Sequence, residues 1–177
     1  MVRAACAIGD RHTRLTSPVG ELIIVARDMR ISGVFFADHR TLPPPQALGE
    51  PIACDDDVLI TAACDQLAEY FAGTRRTFAL PTYAAGTVFQ RRVWKLVSTI
   101  SYGSTMTYRQ LAALLGNAHA AQSIGQAVGA NPLSIVIPCH RVIGADRQLR
   151  GYAGGVWRKQ FLLELEEPEE ERRARLF

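Results

Sequence analysis

The sequence predicts an α/β protein of two lobes, in which a small lobe of strands and one helix precedes a mostly helical lobe. Three observations predict it. Residues 12–37 alternate and turn like a three-stranded β-meander, residues 55–71 carry apolar side chains at helical spacing, and capping boxes mark helix starts after residue 86. We therefore divide the chain into a scaffold lobe with its linker over 1–86 and a second lobe over 87–177.

The strands of the first lobe are predicted from alternation and turn residues. They are expected at 12–16, 21–26 and 34–36, with Ser17-Pro18-Val19-Gly20 as the first turn. Residues 41–54 contain three consecutive prolines and are predicted to be a loop.

One helix completes the first lobe. Asp55-Asp56-Asp57 opens it, because acidic side chains suit the positive end of the helix dipole, and Gly73 ends it after Phe71. Residues 74–86 are predicted to form an extended linker. No motif in this lobe indicates chemistry, so we assign it a scaffold role.

The second lobe opens with helices. Thr87 with Gln90 and Thr107 with Gln110 fit capping boxes, and Gly116 closes the second helix. A further helix of small and aliphatic residues is predicted over about 119–129. Two helices joined by a short Gly-Asn turn are typical of a helix-turn-helix, and equally of a tightly packed helical hairpin.

The basic charge is concentrated in one part of the chain. Residues 87–163 hold nine Lys and Arg against one Asp, a net charge of +8, whereas residues 1–86 hold eight against ten and residues 164–177 three against six. Such a segment favours a phosphate backbone as partner over a merely solvated face. Its basic residues are Arg91, Arg92, Lys95, Arg109, Arg141, Arg147, Arg150, Arg158 and Lys159.

Cysteine spacing and hydropathy exclude other classes of protein. The four cysteines, Cys6, Cys54, Cys64 and Cys139, form no CxxC pair and no zinc-ligand spacing, so we expect neither a disulfide framework nor a metal site. No apolar window approaches about 18 residues, and the N-terminus does not resemble a signal peptide. We predict a soluble cytoplasmic protein without a membrane partner.

Residues 135–144 concentrate the chemistry. Their β-branched run predicts a short buried strand that stops at Pro138 and displays Cys139. A thiol is nucleophilic as its thiolate, and His140 and Arg141 are candidates for lowering its pKa, whereas an inert buried cysteine is the alternative. Because adjacent strand residues point to opposite faces, His140 would reach the sulfur only through a water or a turn. A base also needs an orienting partner, and the candidates are Glu164, Glu166 and Glu167.

Several motifs occur in a fixed order along residues 87–166. The most specific is Pro138-Cys139-His140-Arg141 followed by Gly151-Tyr152-Ala153-Gly154-Gly155. The others are Thr87–Trp94, Tyr102-Gly103, Thr107-Tyr108, Ala130-Asn131-Pro132 and Arg158-Lys159 with Leu162–Glu166. This order resembles the O6-alkylguanine-DNA alkyltransferases, also called methylated-DNA–protein-cysteine methyltransferases. The resemblance implies an RNase H-like lobe with an antiparallel sheet, joined to a helical lobe that carries a helix-turn-helix and the cysteine.

The resemblance also implies a reaction. A damaged base is flipped out of the duplex, and the alkyl group on its O6 passes to Cys139 in a single turnover without a cofactor. O4-alkylthymine is implied as a second substrate. His140 would take the thiol proton through water, Glu166 would orient His140, and Asn131 would position the thiol. Tyr108 would rotate the nucleotide or donate a hydrogen bond toward the purine.

The implied partner is double-stranded DNA, bound by a monomer through the minor groove, with cooperative clustering as a further expectation. The base pocket would be lined by Val142, Tyr152 and Ala153, and the DNA would be contacted by Ala121, Gln122 and Gly125. Gln122 departs from the family, which places an arginine finger there, so we expect weaker DNA binding and slower repair. Ser101 stands where the family generally has a proline, and we expect a looser loop there.

Two other functions are open at this point. A sensor would bind alkylated DNA without taking its alkyl group; Gln122 favours it, and the presence of Cys139 disfavours it. A cysteine hydrolase would use Cys139 with His140 on small substrates. The basic segment and the paired helices disfavour the hydrolase.

Overall fold

The computed structural model describes residues 9–116, 120–146, 148–149 and 151–168. It confirms the predicted fold class, with an N-terminal sheet covered by a helix and a mostly helical C-terminal part. Some predictions lie outside the described residues; they concern Cys6, the helix start at His119, Arg147, Arg150 and the tail after Pro168.

A four-stranded sheet forms the N-terminal lobe, in the order β3-β2-β1-β4. Its three antiparallel strands are the predicted meander: β1 Arg11–Ser17, β2 Gly20–Arg27 and β3 Arg30–Phe36. The fourth strand, β4 Glu50–Pro51, pairs in parallel with β1 inside the stretch predicted to be a loop. Strand β4 has only two residues, one of them proline, so it is too short to show the alternation from which a strand is predicted.

Helix α1, Val58–Phe71, covers the sheet. It begins three residues after the predicted Asp55, because Asp57 is its N-cap and accepts hydrogen bonds from the backbone N–H groups of Leu59 and Ile60. The Asp57 carboxylate also pairs with the buried Arg11 guanidinium at 2.7 Å, which ties the helix start to β1. The linker then runs beside β3, where Ile31 exchanges backbone hydrogen bonds with Pro81 and Tyr83.

The C-terminal lobe contains four helices and a two-stranded parallel sheet among the described residues. The capping boxes at Thr87 and Thr107 are both formed, as predicted. Trp94 is buried and donates from Nε1 to the carbonyl of Ala127 at 2.7 Å, which joins the first and third of these helices. None of the helices within the described ranges is long and apolar enough to cross a membrane. The elements are α2 Val88–Val97, β5 Met106–Thr107, α3 Tyr108–Leu114, α4 Ala121–Gly129, β6 Val142–Ile143 and α5 Val156–Glu166.

The strand predicted before Cys139 is wrong, because residues 133–138 turn twice. The N–H of Val136 donates to the carbonyl of Ser134 around Ile135, whose φ is +72°. Pro138, at φ −79° and ψ 63°, forms a second three-residue turn, and a short 3-10 turn, Cys139–Arg141, follows. A β-branched residue at positive φ is strained by about 1–3 kcal/mol, so the surrounding contacts hold it there. The apolar, β-branched composition indicated a strand because it reports burial, not backbone direction.

A buried arginine clamps the two lobes together. The Arg158 guanidinium lies between the rings of Phe36 and Trp157, 4.7 and 4.6 Å from their centroids. It donates to the Val19 carbonyl, the Asp38 carboxylate and the Gly154 carbonyl, at 2.7, 2.7 and 2.6 Å. The clamp therefore holds the glycine loop, residues 151–155, against the first turn and the end of β3.

We expect Arg158→Lys to lower the free energy of unfolding by about 2–4 kcal/mol, because lysine keeps the charge but loses the planar fork and the stacking. Urea denaturation measures the change. Arg92→Lys, at an exposed position of α2, is the matched control and should stay within about 0.5 kcal/mol of the parent. Equal stability of the two variants would contradict the clamp.

Candidate active site

The Cys139 thiol sits at the end of the double turn and is held there by Asn131. Cys139 is 5% exposed, and its sulfur accepts a hydrogen bond from the Asn131 side-chain amide at 3.2 Å. The same amide nitrogen donates to the Ile137 carbonyl at 2.9 Å, and its oxygen accepts from the N–H of Leu133 at 2.9 Å. Asn131 thus joins both ends of the turn to the sulfur that the turn displays.

Burial keeps this thiol protonated at rest. It raises the pKa of Cys139, whereas the Asn131 hydrogen bond, the Lys159 cation and the neighbouring Tyr152 hydroxyl act in the opposite direction. The guanidinium of Arg141, a candidate for this help, donates instead to Glu166 and to the Ile100 carbonyl. The site therefore needs a base before the sulfur becomes a strong nucleophile.

His140 has the surroundings and the neutral charge that a base needs. Its Nε2 forms a 2.8 Å hydrogen bond with Glu166 Oε1, and its Nδ1 is buried without a hydrogen-bond partner among the described residues. Burial lowers the pKa of His140, and Arg141 and Lys159 lower it further, against the opposing effect of Glu166. A neutral imidazole that donates from Nε2 leaves Nδ1 as an acceptor. No direct hydrogen bond joins His140 to the sulfur of Cys139 in the part of the chain described here.

Glu166 is the carboxylate that contacts His140, whereas Glu164 is exposed. The Glu166 side chain also accepts hydrogen bonds from the Tyr70 hydroxyl at 2.7 Å and from the Gly103 N–H at 3.3 Å. Arg141 donates to it from Nε and Nη2, at 2.8 and 2.9 Å. Burial alone would raise the pKa of Glu166, but the hydrogen bonds from His140 and Arg141 hold it at about 2. Glu166 therefore stays ionised and accepts a hydrogen bond from His140 rather than its proton.

The turn that supplies the Gly103 N–H is closed despite the departure at Ser101. The N–H of Ser104 donates to the Ser101 carbonyl at 3.1 Å, and Gly103 adopts φ +73°. A side chain at Gly103 would come within 2.9 Å of the Glu166 carbonyl oxygen, so glycine is required on both counts. The turn holds Glu166 without the proline.

Sequence reasoning missed the roles of Tyr70, Arg141 and Lys159. Lys159 is fully buried, donates to the Val142 carbonyl at 2.6 Å, and has its pKa lowered to about 8 by burial, with Cys139 opposing the change. One signal could have found it, since Lys159, Leu162 and Glu166 share one face of α5 at helical spacing. Tyr70 lies in the lobe assigned as scaffold, and no local pattern marks it.

Only some of the basic side chains of residues 87–163 lie at the surface. Arg141, Arg158 and Lys159 are buried, which corrects their assignment to a face for DNA. Exposed basic residues remain on α2 and α3, and these are Arg91, Arg92, Lys95 and Arg109. Within the described residues, these four side chains are the basic ones of this segment that an anionic partner could contact.

A cleft of about 540 Å³ brings several predicted contact residues together. Gln122 is exposed at this cleft. The Tyr108 ring faces Gly125, where an added Cβ would be in ordinary van der Waals contact with the ring at 3.8 Å. Burial raises the pKa of Tyr108, as does the nearby Cys139, so its hydroxyl remains a donor. The cleft is lined by Tyr108, Arg109, Ala121, Gln122, Gly125, Gly144, Ala145 and Asp146.

The three residues predicted to line the base pocket are not among those that line this cleft. Val142 is fully buried and packs in the same core cluster as Cys139. The Tyr152 ring packs edge-on against Phe36 at 5.8 Å, and burial beside Cys139 raises the pKa of its hydroxyl. Ala153 accepts a backbone hydrogen bond from Arg40. Within the described ranges, no group of three or more His, Cys, Asp or Glu side chains could hold a metal ion.

Two family profiles match the chain. Residues 11–84 match the ribonuclease-like domain of 6-O-methylguanine DNA methyltransferase, and residues 88–168 match the DNA binding domain of the same family. Together the two matches cover nearly all of the described residues.

Curated relatives agree with these matches. A methylated-DNA–protein-cysteine methyltransferase of Mycobacterium tuberculosis is 39% identical over 155 residues, which are 88% of this chain and 91% of the relative. The constitutive enzyme of Bacillus subtilis is 38% identical over 156 residues, 88% of this chain and 94% of its own. A Shigella flexneri enzyme of the same name is 55% identical over 100 residues, 56% of this chain and 58% of that enzyme.

Solved structures are similar over the same extent. The crystal structure of M. tuberculosis O6-methylguanine methyltransferase superposes with a TM-score of 0.80 at 38% identity, covering 89% of this chain and 93% of that one. The M. tuberculosis OGT in complex with DNA gives a TM-score of 0.79 at 38% identity, with coverages of 89% and 92%.

We expect Glu166 to contribute to stability in a pH-dependent way. Because its pKa falls from 4.5 to about 2 on folding, the contribution is present above about pH 4.5 and is lost as the pH falls toward 2. The difference is on the order of 3 kcal/mol. Unfolding free energies of the parent and Glu166→Gln, measured between these pH values, check it. The variant should be less stable at neutral pH and lose less on acidification, and parallel curves would contradict the assignment.

Proposed function

The chain belongs to the 6-O-methylguanine DNA methyltransferase family and is a methylated-DNA–protein-cysteine methyltransferase of DNA alkyl repair, and from this premise we propose that it transfers the O6-alkyl group of a flipped guanine irreversibly to Cys139. One observation carries the proposal: Asn131 fixes the Cys139 sulfur, while the next residue, His140, presents a neutral base held by an ionised Glu166. A cysteine with only a packing role in the core needs neither a hydrogen bond that fixes its sulfur nor a neighbouring base.

DNA binding in the proposal uses the exposed part of the helical lobe. Helix α4 enters the minor groove, where its small side chains allow close approach, and the exposed arginines of α2 and α3 contact phosphates. The target base leaves the stack, because its O6 substituent is unreachable inside the duplex. Gln122, at the cleft, fills the gap that the base leaves, and Tyr108 helps to rotate the nucleotide.

The transfer step follows from the protonation states. The Cys139 proton passes through a water to His140 Nδ1, and Glu166 stabilises the imidazolium that forms. The thiolate attacks the alkyl carbon, so that a C–S bond forms as the bond between that carbon and guanine O6 breaks. The electron pair stays on the guanine, which accepts a hydrogen bond or proton from the Tyr108 hydroxyl. The buried Lys159 cation stabilises the thiolate while it exists.

The product explains a single turnover. A thioether carries no leaving group that water could displace under these conditions, so each protein molecule acts once and needs no cofactor. O4-alkylthymine presents the same alkyl carbon on an exocyclic oxygen and is the second proposed substrate. The protein acts as a cytoplasmic monomer that clusters on DNA.

Gln122 supports one other candidate function. An uncharged side chain at the cleft offers less to hold the opened duplex than an arginine would, and a protein that binds alkylated DNA without transfer would be a sensor. The reactive setting of Cys139 favours transfer over this alternative.

Transfer is tested by intact mass after incubation with a duplex that contains O6-methylguanine. We expect one added methyl group, located at Cys139 by peptide mapping and absent from Cys139→Ser. Cys64→Ser removes a buried cysteine of the other lobe and is the control that should still be methylated. Binding without a mass change would indicate the sensor, and neither binding nor methylation would leave the hydrolase.

Gln122→Arg should bind DNA more tightly and repair it faster, because a longer, charged side chain then holds the opened duplex. We expect a gain of roughly 3- to 10-fold in the single-turnover rate and a steeper salt dependence of binding by about one ion. Gln126→Arg adds the same charge to an exposed position of α4 that is not among the cleft residues. An equal gain in both variants, or no gain in Gln122→Arg, would contradict the proposed role of position 122.

A further inference from the structure

The N-terminal lobe delivers one hydroxyl group to the catalytic carboxylate, and we propose that Tyr70 is a positioning residue of the transfer reaction that acts on His140 through Glu166. The inference rests on the proposed role of His140 as the base. It gives the lobe that the sequence marked as scaffold a part in the chemistry.

The position of the Tyr70 hydroxyl is fixed by packing. Tyr70 lies in the last turn of α1 and is fully buried. Its ring contacts those of Phe71, Phe78 and Tyr102, at centroid distances of 5.5, 5.5 and 6.2 Å. The hydroxyl therefore has one available direction, and in that direction it meets Glu166 Oε1 at 2.7 Å and lies 3.5 Å from His140 Nε2.

Tyr70 is a hydrogen-bond donor throughout. Burial raises the pKa of its hydroxyl, and the negative charge of Glu166 raises it further. The O–H group thus shares Glu166 Oε1 with the N–H of His140 and one N–H of Arg141. Each additional donor withdraws charge from that oxygen, so Tyr70 limits how strongly the carboxylate attracts the His140 proton.

Glu166 needs support from outside its own helix. It is the last residue of α5, and helix ends are the least firmly held part of a helix. Arg141 contacts both carboxylate oxygens from the side of the cysteine turn. Tyr70 and the Gly103 N–H approach from other elements and fix the carboxylate plane that His140 must meet.

A change of Tyr70 to phenylalanine removes no charged side chain from the surroundings of His140. The charged and titratable groups near the imidazole or its carboxylate are Arg141 and the protonated Cys139 from the 3-10 turn, Glu166 and Lys159 from α5, and Tyr102 with Arg76 beside it. Without the Tyr70 hydroxyl, Glu166 attracts the His140 proton more strongly and turns more freely. The pKa of His140 should rise, and the base should be lost at a higher pH than in the parent.

The experiment compares the full-length parent with Tyr70→Phe. Single-turnover transfer from an O6-methylguanine duplex, measured from about pH 5 to pH 9, should slow by roughly 3- to 10-fold, and its acid limb should move to higher pH. Tyr102→Phe is the matched control, because it removes a hydroxyl from the adjacent ring that donates to the Leu165 carbonyl instead of the carboxylate. The control should keep the parent pH profile.

A second readout keeps the inference separate from the proposed function. The imidazole titration of His140, followed by NMR without DNA, should shift upward in Tyr70→Phe. A fluorinated tyrosine at position 70 is a stronger donor of the same shape, and it should shift the titration downward. An unchanged titration in both proteins would overturn the role of Tyr70. If the titrations shift but the parent transfers no methyl group, the proposed function fails and the coupling through Glu166 stands.

Discussion

The buried carboxylate of Glu166 is the interaction on which the site depends. A single negative charge, enclosed by protein, is compensated by the Arg141 guanidinium and surrounded by donors from α1, the 101–104 turn and the Cys139–Arg141 turn. These elements are far apart in sequence, and they meet because a buried charge must be compensated from every side. The position of the cysteine turn follows from where its neighbour Arg141 and the imidazole of His140 must bind.

The same burial gives the site a resting state that is chemically quiet. The thiol carries its proton and the imidazole is neutral, while the charged side chains among the described residues of the site are Glu166, Arg141 and Lys159. In the proposed reaction, the thiol proton then moves to His140, whose carboxylate partner Glu166 and whose neighbouring Asn131–Cys139 contact are already in place. Such an arrangement suits a nucleophile that the proposed reaction uses only once, because an ionised thiol would react with whatever electrophile reached it first.

The sequence predicted what local rules govern. The capping boxes at Thr87 and Thr107 and the meander of the first lobe follow from short-range hydrogen bonding and alternation, and all are formed. The prediction failed where distant contacts decide. Ile135 adopts a positive φ that its side chain disfavours, Lys159 is buried although it is charged, and Tyr70 contacts a residue 96 positions away. Cys139 and His140 were indicated by their own segment, whereas the choice of Glu166 among three glutamates and the role of Asn131 came only from the resemblance to the family.

Arg158 makes the two lobes depend on each other structurally, and this dependence has a consequence for their evolution. Its guanidinium donates hydrogen bonds to a carbonyl of the first turn, to a carboxylate after β3 and to a carbonyl of the glycine loop. An exchange of one lobe between relatives would therefore break these contacts unless matching acceptors came with it. A transplanted N-terminal lobe would have to arrive with acceptors already placed for a cation that belongs to the recipient, so the two halves should be inherited, and should diverge, as one unit.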